Sequence, residues 1–298
     1  MSRFLNEPLT DKKSETYTES ALGLTIGVSC MQGWRESMED AELVDTSLPG
    51  LHKVALLSIF DGHGGDFIAK ETAKQIVDRI VSTDDYNAFD GKNPYTLVSA
   101  LSEAFLRTDD ALREAHLDGT ADEVGATGLV VLVTERHIIS ANVGDSRCIL
   151  SDKSGQVPIQ MSLDHKPDHE AEKLRIIAAG GNVFRGRVCG GVAVSRGFGD
   201  FWFKRNEENN PDKKPWEHFV IAEPCVNIHV RSPDTDEFLV LGCDGIYDVM
   251  SNEQIQMFTR DKLAEGKTPT VVAELLMEEC LHKGSRDNMS VIVALLNQ

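Results

Sequence analysis

The sequence is short of positive charge. Against 48 Asp and Glu it carries 30 Lys and Arg, a net charge of −18. That balance disfavours nucleic acid or an anionic membrane as the main partner, because clustered cations hold polyanions. Paired cysteines are absent too. Cys30, Cys148, Cys189, Cys225, Cys243 and Cys280 are scattered, with no C-x-x-C and no zinc-like spacing to histidine, and read as reduced, mostly buried thiols. No run reaches the ~18 apolar residues a membrane span requires. The N-terminus has no apolar signal core, and Ser2 rather than glycine follows Met1, so a myristoylation signal is missing. A cytoplasmic or nuclear protein is the expectation from these absences, and a monomer is the expected state.

What the chain does hold is core-forming material: 41% of its 298 residues are hydrophobic. The segment VALLSIFDGHGG, beginning at Val54, reads as a strand buried on both faces that ends at Asp61. Asp-Gly is by itself a common turn signal. The pattern recurs, however: EFLVLGCDG ends at Asp244, SANVGDSR puts Asp145 after another strand, and Asp287 precedes the final run MSVIVALL. Acids converging from four strand ends repel one another, by about 4 kcal/mol for a pair ~4 Å apart at an effective dielectric near 20. A divalent cation removes that repulsion, and oxygen ligands select Mg²⁺ or Mn²⁺.

Taken in order, residues 1–21 are polar and aperiodic and are expected as a loose leader, with 22–298 forming one domain. Strand-like pieces flank Arg35, Glu39 and Asp40. Phe67 to Val81 and Thr96 to His116 have helical spacing. A meander of short strands follows, then a helix from about Asp168, and then a Gly- and Val-rich stretch leads into KRNEENNPDKKPWEH, expected as an exposed, mobile flap over 201–218. Strands, a helix pair and a closing strand complete the chain. Helix pairs that follow hairpin strands predict an α+β fold: two packed antiparallel β-sheets forming a sandwich with helices outside, four layers in the order αββα.

The ordered segments GWRESMEDAE, FDGHGG, GATG, ANVGDSR, DHKPDHEAEKLRI, VAVSRGFGD, IAEP, CDGIYDVMS and DNMSVI, from about Gly23 onward, resemble the metal-dependent protein phosphatases of type 2C, the PPM family. The resemblance implies a serine/threonine protein phosphatase acting on phosphorylated proteins with two Mn²⁺ or Mg²⁺ ions, which activate a water between them for attack on phosphorus. It assigns Asp61 to both ions, the Gly62 carbonyl to one, and Asp244 with Asp287 to the other. Glu39 and Asp40 would hold waters around the ions, Arg35 the phosphate, and His63 the proton for the leaving group. Asp145 and Asp248 match a weaker third metal position. Thr127, Gly199 and Asp200 are candidates for the cleft wall and flap base. A surface salt bridge for Arg35 and a structural histidine at 63 are the plainer alternatives. Departures from the family pattern are Glu42 where histidine is common, Gly-Phe within SRGFGD, and Gly242 where alanine is common; none removes a proposed ligand. A catalytically silent binding protein on the same scaffold is the alternative function, and a metal-dependent nuclease or nucleotide hydrolase is disfavoured by the acidic chain.

Overall fold

The computed structural model describes residues 4–50, 52–116, 119–155, 157–205 and 214–296. In chain order the elements are β1 (Phe4–Glu19), β2 (Leu24–Arg35), β3 (Ala41–Asp45), β4 (Ala55–Phe60), β5 (Gly62–His63), α1 (Phe67–Val81), α2 (Asp84–Asn87) and α3 (Pro94–Ala115). Then come β6 (Gly125–Ala126), β7 (Gly128–Val133), β8 (His137–Val143), β9 (Arg147–Asp152), β10 (Ile159–Gln160), α4 (Glu170–Ala178), β11 (Val183–Phe184), β12 (Arg187–Val188) and β13 (Phe198–Gly199). The last third holds β14 (Cys225–Val230), β15 (Asp236–Gly242), α5 (Asp244–Tyr247), α6 (Asn252–Ala264), α7 (Pro269–His282) and β16 (Met289–Leu296).

Two antiparallel sheets make the sandwich, one of five strands ordered β14-β8-β7-β4-β3 and one of six ordered β1-β2-β16-β15-β9-β10. The apolar run in β4, broken only by Ser58, has a direct cause. Leu57 and Ile59 face the other sheet and pack with Ile26, Val28, Val240 and Ile292. Leu56 and Phe60 face the helices and pack with Ile76, Leu101 and Phe105. With both faces covered, no position tolerates a charge. The helices end where local chemistry dictates. Asn93 caps α3, its side chain accepting from the Tyr95 N–H, and Pro94 opens the first turn. Ser251 and Gln254 form a reciprocal capping box on α6. Among the described residues no helix is long and apolar enough to cross a membrane.

One expectation fails and another is narrowed. The segment expected as a loose leader is the edge strand β1, paired antiparallel with β2 from Phe4↔Arg35 to Glu19↔Leu24. Its polarity is that of an edge strand with one face in water, held by the backbone ladder and by bonds to α7. Ser14 donates to Glu274 at 2.6 Å, and Lys12 pairs with Glu278 at 2.8 Å. The expected flap, in turn, begins with anchored chain: Phe201 and Lys204 are buried, in a short 3-10 turn over Phe201–Lys204. Lys204 is drawn inward by Asp109, with Nζ 2.8 and 2.9 Å from the two carboxylate oxygens and 2.7 Å from the Gly197 carbonyl. The flap residues 206–213 lie outside the described residues.

Candidate active site

Each of the recurrent acids sits just past the end of a buried strand: Asp61 after β4, Asp145 after β8, Asp244 after β15, and Asp287 ahead of β16. Because β4 and β8 belong to one sheet and β15 and β16 to the other, the acids meet at one end of the sandwich. There they line a cleft of about 850 Å³ together with Arg35, Gly62, His63, Thr127 and Asp200. The opposite wall comes from the chain after α4, with Arg187, Cys189, Trp202 and Phe203.

Local bonding fixes the floor. The Asp61 N–H donates to Thr127 Oγ1 at 3.1 Å, while the Asp61 carbonyl accepts from the Thr127 N–H at 2.9 Å. Thr127 Oγ1 also meets Ser146 Oγ at 2.7 Å. Glu39 Oε2 accepts from the Gly65 N–H at 3.1 Å. Gly62 is required by proximity, since a Cβ there would lie 2.3 Å from the Glu39 carbonyl oxygen. Asn288, which the sequence did not single out, ties the region together: its Oδ1 accepts from the Glu39 N–H and its Nδ2 donates to the Gln32 and Ser37 carbonyls.

The electrostatics are those of crowded anions. Burial first, then the charges of Asp244, Asp40, Asp145 and Asp287, push Asp61 well above the usual carboxylate range. Burial, then Asp145, Asp287 and Asp248, do the same to Asp244, with Lys166 opposing. Asp40 is pushed up to about 7, chiefly by burial, although Ser290 donates to it at 2.8 Å. Carboxylates that resist ionisation while facing one another form a site short of cations. Among the described residues one compact donor group is present, with ligand-type atoms of Asp40, Asp61 and Cys243 all within 4.8 Å of one another. The Cys243 thiol is pushed up by burial and by those carboxylates, and it donates to the Asn288 carbonyl at 3.4 Å. It therefore stays protonated, and the oxygens are the donors a cation would find.

Partners of the other expected residues are now visible. Arg35 is ion-paired with Asp287. Lys166, absent from the sequence-based set, is ion-paired with Asp145. Its charge opposes the burial that raises Asp248, which is exposed. His63 Nε2 lies 3.0 and 2.9 Å from the two Asp200 oxygens. Burial alone lowers the basicity of His63, but the Asp200 charge and hydrogen bond outweigh it and raise the imidazole above its usual value. Gly199 supplies a positive φ of 71° at the turn into Asp200. Glu42 does not line the cleft; it accepts from Cys30 Sγ at 3.3 Å between β2 and β3.

Comparison with known proteins gives a consistent result. A probable protein phosphatase 2C of Caenorhabditis elegans is 38% identical over 301 residues, 98% of this chain and 80% of that protein. Mouse protein phosphatase 1B is 37% identical over 301 residues, 98% of this chain and 75% of that protein. A serine-threonine phosphatase 2C from Toxoplasma gondii, at 20% identity, shares the fold with a TM-score of 0.79 over 100% of this chain and 99% of its own. With the family model described as protein phosphatase 2C matching residues 24–289 as well, the chain belongs to the protein phosphatase 2C family and is a metal-dependent serine/threonine phosphatase.

Proposed function

We propose that the cleft hydrolyses phosphoserine and phosphothreonine monoesters on proteins with the help of two Mn²⁺ or Mg²⁺ ions. The observation that carries this reading is the meeting of Asp61, Asp244 and Asp287 in one cleft, with Asp61 and Asp244 raised by burial and mutual repulsion. The donor chemistry fits hard divalent cations, because the available groups are carboxylates, the Gly62 carbonyl and a thiol that keeps its proton.

Asp61, the Gly62 carbonyl, Asp244 and Asp287 would hold the ions, with Glu39 and Asp40 fixing waters around them. When bound, the ions supply neutralisation of the phosphate charge and acidification of a water for in-line attack. The chain's own groups do the rest. Arg35, partly exposed at the cleft, exchanges its contact with Asp287 for the phosphate oxygens, which its planar fork suits. His63 protonates the departing serine or threonine oxygen. Thr127 and Ser146 keep the Asp61 backbone in place by the bonds described above. Lys166 already neutralises Asp145, which makes a third ion a weak competitor for that position.

The test is hydrolysis of a phosphothreonine peptide. Activity disappears with chelator, returns with Mn²⁺, and falls at least about a hundredfold in Asp61→Asn or Asp244→Asn; full activity in either variant defeats the reading.

A further inference from the structure

Asp200 is held in an unusual way. Its backbone lies in the left-handed region at φ 52° and ψ 39°, and its side chain is buried. Non-glycine residues rarely adopt that conformation, and they persist in it where the surroundings over-determine it. Here they do. The Asp200 N–H donates to the Val124 carbonyl at 2.8 Å, and its carbonyl accepts from the Phe203 N–H at 2.9 Å. On either side, the Gly199 N–H donates to Asp109 at 2.9 Å and Lys204 grips the same carboxylate. This anchorage ties the Asp200 turn to α3, yet none of it uses the Asp200 carboxylate. Both of its oxygens are turned to His63 Nε2.

The route between the two residues is equally specific. β5, β6 and β13 form a three-stranded sheet with β6 in the middle, and Gly125 of β6 is paired with His63 on one side and Gly199 on the other. A Cβ on Gly125 would lie 2.5 Å from both Asp200 Oδ2 and His63 Nε2. The side chains therefore meet across a gap that only glycine leaves open.

We propose that Asp200 is a positioning residue for the phosphatase reaction: by accepting from Nε2–H of His63 it fixes the ring plane and leaves Nδ1 as the nitrogen that meets the leaving group. This rests on the reading that His63 supplies the leaving-group proton. The Nδ1 proton passes to the serine or threonine oxygen as its bond to phosphorus breaks and the electron pair stays on that oxygen. The water oxygen bonds to phosphorus and loses one proton to solvent, and a proton taken back from solvent restores the imidazolium.

The test compares two substrates on the full chain with Mn²⁺. Asp200→Asn keeps the shape and is tolerated in the left-handed conformation. It should lower kcat on a phosphothreonine peptide by about tenfold to a hundredfold, with KM changed less than about twofold. On p-nitrophenyl phosphate, whose leaving group departs without a proton, kcat should stay within about threefold. His63→Gln should show the same split, and the double variant should be no worse than His63→Gln alone. Equal loss on both substrates, or no loss on the peptide, overturns the proposal while leaving the phosphatase reading intact; a wild type that hydrolyses neither overturns both. A second readout needs neither variant nor metal. Long-range ¹⁵N spectra of the chelated wild type should show neutral His63 with its proton on Nε2, and a proton found on Nδ1 instead overturns the assignment.

Discussion

Replacing Asp61 by Asn should make the metal-free protein more stable while making it a poor enzyme. The Asp40 and Asp61 oxygens lie within 4.8 Å of each other. Asp61 opens on the cleft, so an effective dielectric of about 20 applies, and the pair repels by about 3.5 kcal/mol when both are ionised. Partial protonation of Asp40, raised to about 7, and of Asp61, itself raised by burial and its neighbours, relieves some of that at neutral pH. A net gain of about 2–3 kcal/mol is the expectation for Asp61→Asn with chelator present, or about 4–10 °C in Tm for a chain of this size. Saturating Mn²⁺ should reverse the order. An ion at a thousand times its Kd adds about 4.1 kcal/mol to the wild type, and the variant, lacking a carboxylate proposed to hold the metal, should gain little. The assay is thermal melting at pH 7 of both proteins, with chelator and across a Mn²⁺ titration. An Asp61→Asn variant that melts at or below wild type in chelator would refute the argument that uncompensated charge crowds this cleft.

Two further outcomes test the scaffold that carries the site. Burial favours protonation of Glu172, but hydrogen bonds and charge from Arg196, then Arg175, prevail and hold it down at about 2. A depressed folded value stabilises above the unfolded value of about 4.5 and is lost as pH falls through about 2. Acid melts should therefore lose about 3 kcal/mol over that window, and Glu172→Gln should remove this slope; an unchanged acid profile contradicts it. Lys204→Met should destabilise by about 3–5 kcal/mol in urea by stranding Asp109, whereas Lys204→Met with Asp109→Leu should recover most of it. A single variant within about 1 kcal/mol of wild type shows that the buried pair does not anchor the turn.

The features legible in the sequence are those whose signal is local. A strand buried on both faces is a run of apolar letters, and an acid directly after it is visible at Asp61 and Asp244 without knowing what lies opposite. The helix ends are legible for the same reason, as with Ser251 and Gln254. What escaped depends on distant partners. β1 has no hydrophobic alternation of its own, and its extended shape is imposed by the ladder of β2. Lys204 reads as one more cation ahead of a polar loop until Asp109, 95 positions earlier, is brought beneath it. His63 and Asp200 are 137 positions apart and meet only because a two-residue strand that begins with Gly125 runs between their backbones. Lys166 belongs to the motif DHKP, but nothing in that motif names Asp145 as its counter-charge.

The register of the outermost ladder bears on how this protein should be handled. Phe4 stands opposite Arg35 and lies under the Arg286 guanidinium, 5.1 Å from its ring, one residue before Asp287. A purification handle or fluorescent fusion joined ahead of Phe4 is thus delivered to the doorstep of the catalytic end, where it competes with incoming polypeptide. Leu296 pairs with Leu24 at the far end of the same sheet. A fusion placed after β16 departs from the opposite pole and leaves the approach clear.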